Sequence, residues 1–251
     1  MAITSLRNPE VMAVVRLHRR RGRADAGRTL LEGPVLIGEA VANGFPIAAI
    51  YGLEDDEVGV SLGGAAGVEY TTVSPEVLAK LSTTEEAQSP VAVIATPAPS
   101  AIPAGRLIVA WGVGDPGNCG SLIRTAAAFS CGFVAGPGSA DPWSPKVLRA
   151  GAGGQFRTTV AQADDLDQVR SGGRVLVATV VQGGVAPGPL PVDAAILVGS
   201  EPHGLPADIV NAADIRVTIP MASGAESLNA AVAGAIVAFL GGSGPSPGGT
   251  I

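Results

Sequence analysis

Asp115-Pro-Gly-Asn118-Cys-Gly-Ser-Leu-Ile-Arg124-Thr-Ala-Ala-Ala-Phe129 follows closely on the apolar run Leu107–Val113. Such a run reads as a buried strand, and Leu122, Ile123, Ala126 and Ala127 recur behind it at helical spacing. Strand, glycine-bearing turn and helix in that order predict an α/β fold with ligand chemistry at the strand's carboxyl end. Two further segments repeat the arrangement: Val198-Gly-Ser-Glu201-Pro-His-Gly204, and Ile219-Pro-Met221 running on to Glu226-Ser-Leu-Asn229-Ala. Their polar side chains are Asn118, Arg124, Glu201, Ser227 and Asn229. They form neither a Cys/His metal cluster nor a Ser-His-Asp set. Such a site suits holding a cofactor and polarising a hydroxyl better than hydrolysis.

Working outward, apolar runs such as Val175-Leu-Val-Ala-Thr-Val-Val181 have the look of strands buried on both faces, hence a parallel sheet. Strands are predicted at 107–113, 132–135, 174–181, 194–198 and 215–219. Helices are predicted at about 117–130, 145–150 and 206–212, with a closing helix at about 226–240. Residues 96–105 carry three prolines and read as an extended connector. Upstream, Asn8 can cap a helix with Pro9 at its first position. Strands at 29–32, 46–51, 68–73 and 91–95 alternate with helices from Pro34 and Pro75. The boundaries expected are 1–97 for an N-terminal α/β domain, 98–105 for the linker, 106–241 for the second domain and 242–251 for a disordered Gly/Ser/Pro tail.

Composition bounds the partners. Apolar residues make up 47% and charged residues 15% of 251, which excludes a wholly disordered chain. The net charge of −6 argues against nucleic acid until its distribution is read. Residues 1–34 hold seven arginines against three acids, whereas the rest hold nine basic and 19 acidic side chains. A basic end on an acidic body is an electrostatic footprint for a polyanion. Cys119 and Cys131 make no disulfide framework and are expected as free thiols in a reducing compartment. The start Met-Ala-Ile-Thr-Ser-Leu-Arg has no apolar core of a signal peptide, and no apolar run reaches the roughly 18 residues of a membrane span. The cytoplasm is the expected compartment.

Gly112-Val-Gly114-Asp-Pro-Gly117 satisfies G-x-G-x-x-G in the strand-to-helix context of a dinucleotide site. Pro116, however, removes a backbone donor from the loop that would cradle pyrophosphate. The following strand also ends Val134-Ala-Gly-Pro-Gly138 with no acid at its tip. A nicotinamide-dependent oxidoreductase is therefore the weaker reading, beside a third, a non-catalytic RNA-binding protein. Arg124 is a conspicuous guanidinium on an otherwise apolar helix, able to hold a phosphate bidentately or polarise a hydroxyl. Read blandly, it is a surface arginine, Glu201 an exposed loop acid, and Ser227 a helix cap. Asn229 has poor helix propensity in a first turn and needs another reason to be there.

The three segments together resemble the SpoU (TrmH-like) family of S-adenosyl-L-methionine-dependent RNA 2′-O-ribose methyltransferases, within the SPOUT superfamily. The matching residues are Asn118, Gly120 and Arg124-Thr-Ala; Gly199, Glu201 and Gly204; Ile219-Pro-Met221 with Ser227-Leu-Asn229. Residues 5–44 are similar to the family's N-terminal RNA-binding domain, and Ser130 departs from its usual glycine. The resemblance implies a knotted (trefoil) Rossmann-like parallel-sheet catalytic domain, a smaller L30e-like N-terminal α/β domain, and a homodimer whose interface completes the site. It implies catalytic roles for Arg124, Glu201, Asn229 and Asn118. Cofactor binding falls to Thr179, Gly199, Ile219, Met221, Ser227 and Leu228. RNA binding falls to Arg7, Arg16, Arg19, Arg20, Arg21, Lys146 and Arg149, with no metal and no membrane. The substrate it favours is 23S ribosomal RNA, with tRNA as the alternative.

Overall fold

The computed structural model describes residues 2–223 and 227–242. The chain divides into two compact units, Met1–Ala98 with Trp143–Phe156, and Pro99–Pro142 with Arg157–Ile251.

The first unit opens with α1 (Pro9–Arg16), whose cap Asn8 accepts from the Glu10 amide, and α2 (Arg20–Ala26). The single N-terminal helix read from the sequence is thus broken, with Leu17–Arg19 between the two pieces. Strand β1 (Arg28–Glu32), α3 (Pro34–Ala42), β2 (Ile47–Gly52), α4 (Glu57–Ala66), β3 (Tyr70–Thr72), α5 (Pro75–Leu81) and β4 (Val91–Ala95) follow. The sheet order is β1-β4-β2-β3, with β2 and β3 parallel and the other pairs antiparallel. Helix α4 was not expected from the sequence. Its stretch Glu-Val-Gly-Val-Ser-Leu-Gly-Gly-Ala-Ala has weak intrinsic helicity. Asp56 caps it by accepting from the Gly59 amide, and Gly63 lies against Tyr70 and the Val68 carbonyl. Leu30, Tyr51, Val77, Leu81 and Val91 are among the core residues of this unit.

The second unit starts with β5 (Leu107–Trp111), α6 (Pro116–Ala128) and β6 (Gly132–Ala135). The chain then gives α7 (Pro145–Gly151) and a 3-10 turn (Gly154–Phe156) to the first unit. The sequence reading kept this segment in the second domain. Its anchors are long-range and invisible to periodicity: the Thr29 hydroxyl donates to the Trp143 carbonyl at 2.6 Å, and Phe45 packs on Trp143 and Phe156. The second unit resumes with β7 (Val160–Gln162), α8 (Leu166–Arg170), β8 (Leu176–Thr179), β9 (Ala195–Gly199), α9 (Ala207–Ala212), β10 (Ile215–Val217) and α10 (Ala230–Gly241). Strand β7 and helix α8, three and five residues long, are too short to carry a legible period.

All six strands of this unit are parallel, in the order β10-β8-β9-β5-β6-β7. The chain builds outward from β5 to β6 and β7, then lays β8, β9 and β10 on the other side. The order therefore reverses between β5 and β9, the topological position where open parallel sheets bind ligands. Strands β5 and β9 are buried throughout, as continuous apolar runs on a doubly covered sheet must be. Helices α6 and α10 pack on each other, and a side chain at Gly234 would meet Leu122 at 2.6 Å.

The closing helix begins later than the sequence suggested. Glu226 lies outside the described residues, Ser227 and Leu228 precede the helix, and Asn229 is its cap. Of the predicted tail, residues 243–251 also lie outside the described residues.

Candidate active site

Asp115 ends the loop after β5 and caps α6 by accepting from the Asn118 amide at 2.8 Å, with Pro116 in the first turn. The cap fixes Asn118, whose residue is only 8% exposed. Its side-chain Nδ2 donates to Glu201 Oε1 at 2.6 Å. Asn229 Nδ2 donates both to Asn118 Oδ1 at 2.8 Å and to Glu201 Oε1 at 2.7 Å. Its Oδ1 meanwhile accepts from the Ala231 and Val232 amides. One asparagine thus starts α10 and ties together side chains from all three motifs. Helix capping and site building are the two ends of one amide.

Two cavities open beside this network. The larger, of about 450 Å³, lies beyond the ends of β8, β9 and β10. Thr179, Gly199, Ile219, Met221, Ser227 and Leu228 all line it, as does Glu201. The smaller, of about 330 Å³, lies between the loops after β5 and β9 and is lined by Gly112, Gly114, Asp115, Asn118 and Glu201. Residues 200–203 border both. Gly199 is fixed by a close backbone crossing, because a β-carbon there would lie 2.2 Å from the Gly204 carbonyl carbon and 2.3 Å from the Leu205 nitrogen. The Thr179 hydroxyl donates to the Leu197 carbonyl at 2.9 Å, joining the ends of β8 and β9.

Arg124 is not among these neighbours. Six residues beyond Asn118 on α6, it lies about 9 Å further along the helix and roughly 120° round it. It is exposed, borders neither cavity, and has no hydrogen-bond or ion-pair partner among the described residues. Cys119 is buried beside Asn118; burial first, then the Asp141 and Asp115 carboxylates, pushes its thiol up to about 12. It is an inert thiol rather than a nucleophile. Among the described residues no group of three or more His, Cys, Asp or Glu side chains could hold a metal ion.

The chain matches the model of the SpoU rRNA Methylase family over residues 105–239, and that of the MRM3-like substrate binding domain over residues 8–92. It belongs to the SpoU family. A Bacillus subtilis relative named 23S rRNA (guanosine(2553)-2′-O)-methyltransferase RlmP is 30% identical, covering 94% of this chain and 97% of its own. Two solved structures contain the cofactor. The AdoMet-bound rRNA methyltransferase from Sinorhizobium meliloti superposes with a TM-score of 0.83 at 28% identity, over 96% of this chain and 97% of its own. The SpoU methyltransferase AviRb from Streptomyces viridochromogenes, in complex with AdoMet, gives 0.82 at 27% identity, over 94% and 97%.

Membership makes this chain an S-adenosylmethionine-dependent RNA 2′-O-methyltransferase; the trefoil knot follows from the family's fold rather than from strand pairing. The larger cavity fits that cofactor. Val198, Ile219 and Leu228 give it apolar walls, Gly199 leaves bare backbone, and Glu201 and Ser227 add polar groups. Gly199→Ala is expected to weaken S-adenosylmethionine binding about 10–100-fold, since overpacking of a tight crossing costs about 1–3 kcal/mol. Calorimetry with the cofactor reads this; an unchanged affinity would show that the crossing can give way.

The residues read as RNA-binding lie in the first unit. Arg7, Arg16, Arg19, Arg20, Arg21 and Lys146 are exposed. Arg149 is instead committed: its Nη1 donates to Glu32 Oε1 at 3.1 Å and to Thr83 Oγ1 at 2.7 Å. Glu32 is a buried carboxylate, its side chain 2% exposed, that also accepts from Ser82, Thr83 and Thr84. Burial pulls its carboxyl up, but the hydrogen bonds from Ser82 and Thr83 and the Arg149 charge outweigh burial and leave it below the ordinary value. A lowered folded value gives stability that is present above the ordinary glutamate range and lost as pH falls through the folded value. Arg149→Ala is expected to cost about 1–3 kcal/mol, because Glu32 keeps its hydroxyl and amide donors, and to bring acid unfolding to higher pH. Urea melts at pH 7 and pH 4 check both; an unchanged melt would make the pair incidental.

Proposed function

We propose that this SpoU-family chain methylates a ribose 2′-oxygen of 23S ribosomal RNA, acting in the cytoplasm as a homodimer whose first unit binds the RNA. The observation that carries the reading is the larger cavity, lined by residues of the second and third motifs and by Thr179, with Asn118, Glu201 and Asn229 hydrogen-bonded beside it. Bound there, S-adenosylmethionine supplies an electrophilic methyl group on sulfur. Glu201 and the two asparagines hold the loops that frame the acceptor hydroxyl.

Arg124 enters from the other copy. Phe129, which follows α6 directly, packs on Phe239 of α10 with ring centroids 5.8 Å apart. Phe239, Leu240 and Val232 are 56%, 42% and 46% exposed, an apolar face that suits a second copy. Across such an interface the partner's Arg124 reaches the cavity that its own chain leaves without a guanidinium. A guanidinium stays protonated, so it orients the hydroxyl and stabilises the developing alkoxide, while the proton leaves to a phosphate oxygen of the RNA.

The exposed arginines support RNA binding by the first unit. Arg19, Arg20 and Arg21 stand at the cap and first turn of α2, where the helix dipole disfavours positive charge. Arg21 has only a 3.7 Å contact with exposed Asp25, a pair of little worth. Phosphate is the partner that suits charges held there. The dinucleotide reading loses support for a local reason: the Asp115 carboxylate occupies the helix start that would cradle pyrophosphate. Mapping 2′-O-methyl marks in 23S rRNA and tRNA from cells with and without this gene tests the proposal. One rRNA mark should vanish; a lost tRNA mark instead would overturn the choice of RNA.

A further inference from the structure

We infer that His203, on the methyltransferase reading above, takes up the proton that methyl transfer releases and passes it to solvent. Residues 200–203 border both cavities, so on that reading their turn stands where the methyl donor meets the acceptor ribose. Gly204, at φ +64°, closes the turn by donating its amide to the Ser200 carbonyl at 2.8 Å, and Pro202 stiffens it. His203 lines both cavities yet is exposed. Its ring has no hydrogen-bond or ion-pair partner among the described residues.

The reaction sets the requirement. The ribose O2′–H bond breaks, an oxygen electron pair forms the new O–CH3 bond, and the C–S bond breaks with its pair passing to sulfur. One proton is left, on the phosphate oxygen that first accepts it. A phosphodiester is a strong acid and holds that proton only in passing. The hydroxyls of Thr179, Ser200 and Ser227, which line the larger cavity, are too weakly basic to keep it. Asp115 commits Oδ1 to the Asn118 amide, and Glu201 commits Oε1 to Asn118 and Asn229. Ordinary carboxylates, moreover, ionise well below neutral pH. A neutral imidazole keeps one nitrogen lone pair open, and its ordinary range lies near neutral pH, where one group both takes and gives up a proton. His203 is the one imidazole in either lining among the described residues. Its exposure lets the imidazolium discharge to water.

Total RNA from cells lacking the gene, labelled in a single turnover at saturating S-adenosylmethionine, tests this. The imidazole accepts only in its neutral form, so the parental rate should rise with pH across about 6–7 and then level. The other titratable groups of the two linings are the Asp115 and Glu201 carboxylates, a type whose ordinary range lies below that window. The partner's Arg124 is a guanidinium and stays charged throughout it. His203→Gln, a change on an exposed turn, should melt in urea as the parent does, lose about 10²-fold or more in rate at pH 7, and lose the rise. His203→Ala should regain part of its rate on added imidazole, which a merely structural role would not allow. A parental rate or a retained rise in His203→Gln, or no recovery in His203→Ala, overturns the role of His203 and leaves the transferase reading intact. A parent that binds the cofactor yet labels no RNA removes that reading, and the proton path with it.

Discussion

An Asn229→Asp variant should fold as the parent does and transfer methyl groups about 10²–10³-fold more slowly, the scale seen when one positioned polar group is lost from an active site. The substitution separates the two ends of the amide. Aspartate caps helices as well as asparagine and suits the positive pole of α10, so the bonds from the Ala231 and Val232 amides survive. What disappears is the donor. Asn118 Oδ1 and Glu201 Oε1 lose their shared partner, and a second carboxylate arrives where Glu201 accepted at 2.7 Å. Asn229→Ala is the control, removing cap and network together, and should cost about 0.5–2 kcal/mol of stability as well. Single-turnover methylation and urea melts on both variants decide the matter. Parental rates in Asn229→Asp would reduce the network to scaffolding.

Arg124→Ala is expected to lose about 10²–10³-fold in transfer rate with cofactor affinity largely unchanged, since a guanidinium that orients the acceptor hydroxyl acts on the RNA rather than on the methyl donor. The stronger test uses both variants. In a two-fold dimer whose sites are each built from both copies, mixing Arg124→Ala with Asn229→Asp protomers rebuilds one working site per mixed dimer. Random reassortment should then restore about a quarter of parental activity from two nearly inactive proteins. No recovery on mixing, with dimer exchange verified by mass, would return Arg124 to its own chain or to no role.

Much of the second unit was legible because strands buried on both faces are continuous apolar runs: those read at 107–113 and 194–198 hold the strands Leu107–Trp111 and Ala195–Gly199. The residues that the resemblance implied for the cofactor, Thr179, Gly199, Ile219, Met221, Ser227 and Leu228, line one cavity, and Ser227 and Leu228 belong to no helix. Hidden were features set by distant contacts. Arg149 counted as a basic side chain until its pairing with Glu32, 117 positions away, showed it committed. The segment Trp143–Phe156 joins the first unit through Thr29 and Phe45, which no local pattern announces. Helix α4, rich in glycine, forms where tertiary packing overrides propensity. The site's second cavity was missed as well. Gly112 and Gly114 were weighed only as a dinucleotide loop, although the strand order puts that loop opposite Glu201.

The carboxylate of Glu201 belongs to two chambers at once. Any adjustment one occupant imposes on that side chain is felt by the other. Thermodynamic reciprocity then holds the two ligands to the same factor: if the methyl donor tightens the grip on RNA, RNA tightens the grip on the donor by an equal amount. A spent donor bound there would lack the sulfonium charge that a carboxylate attracts, and release of RNA and of the used cofactor would then be linked through one acidic side chain.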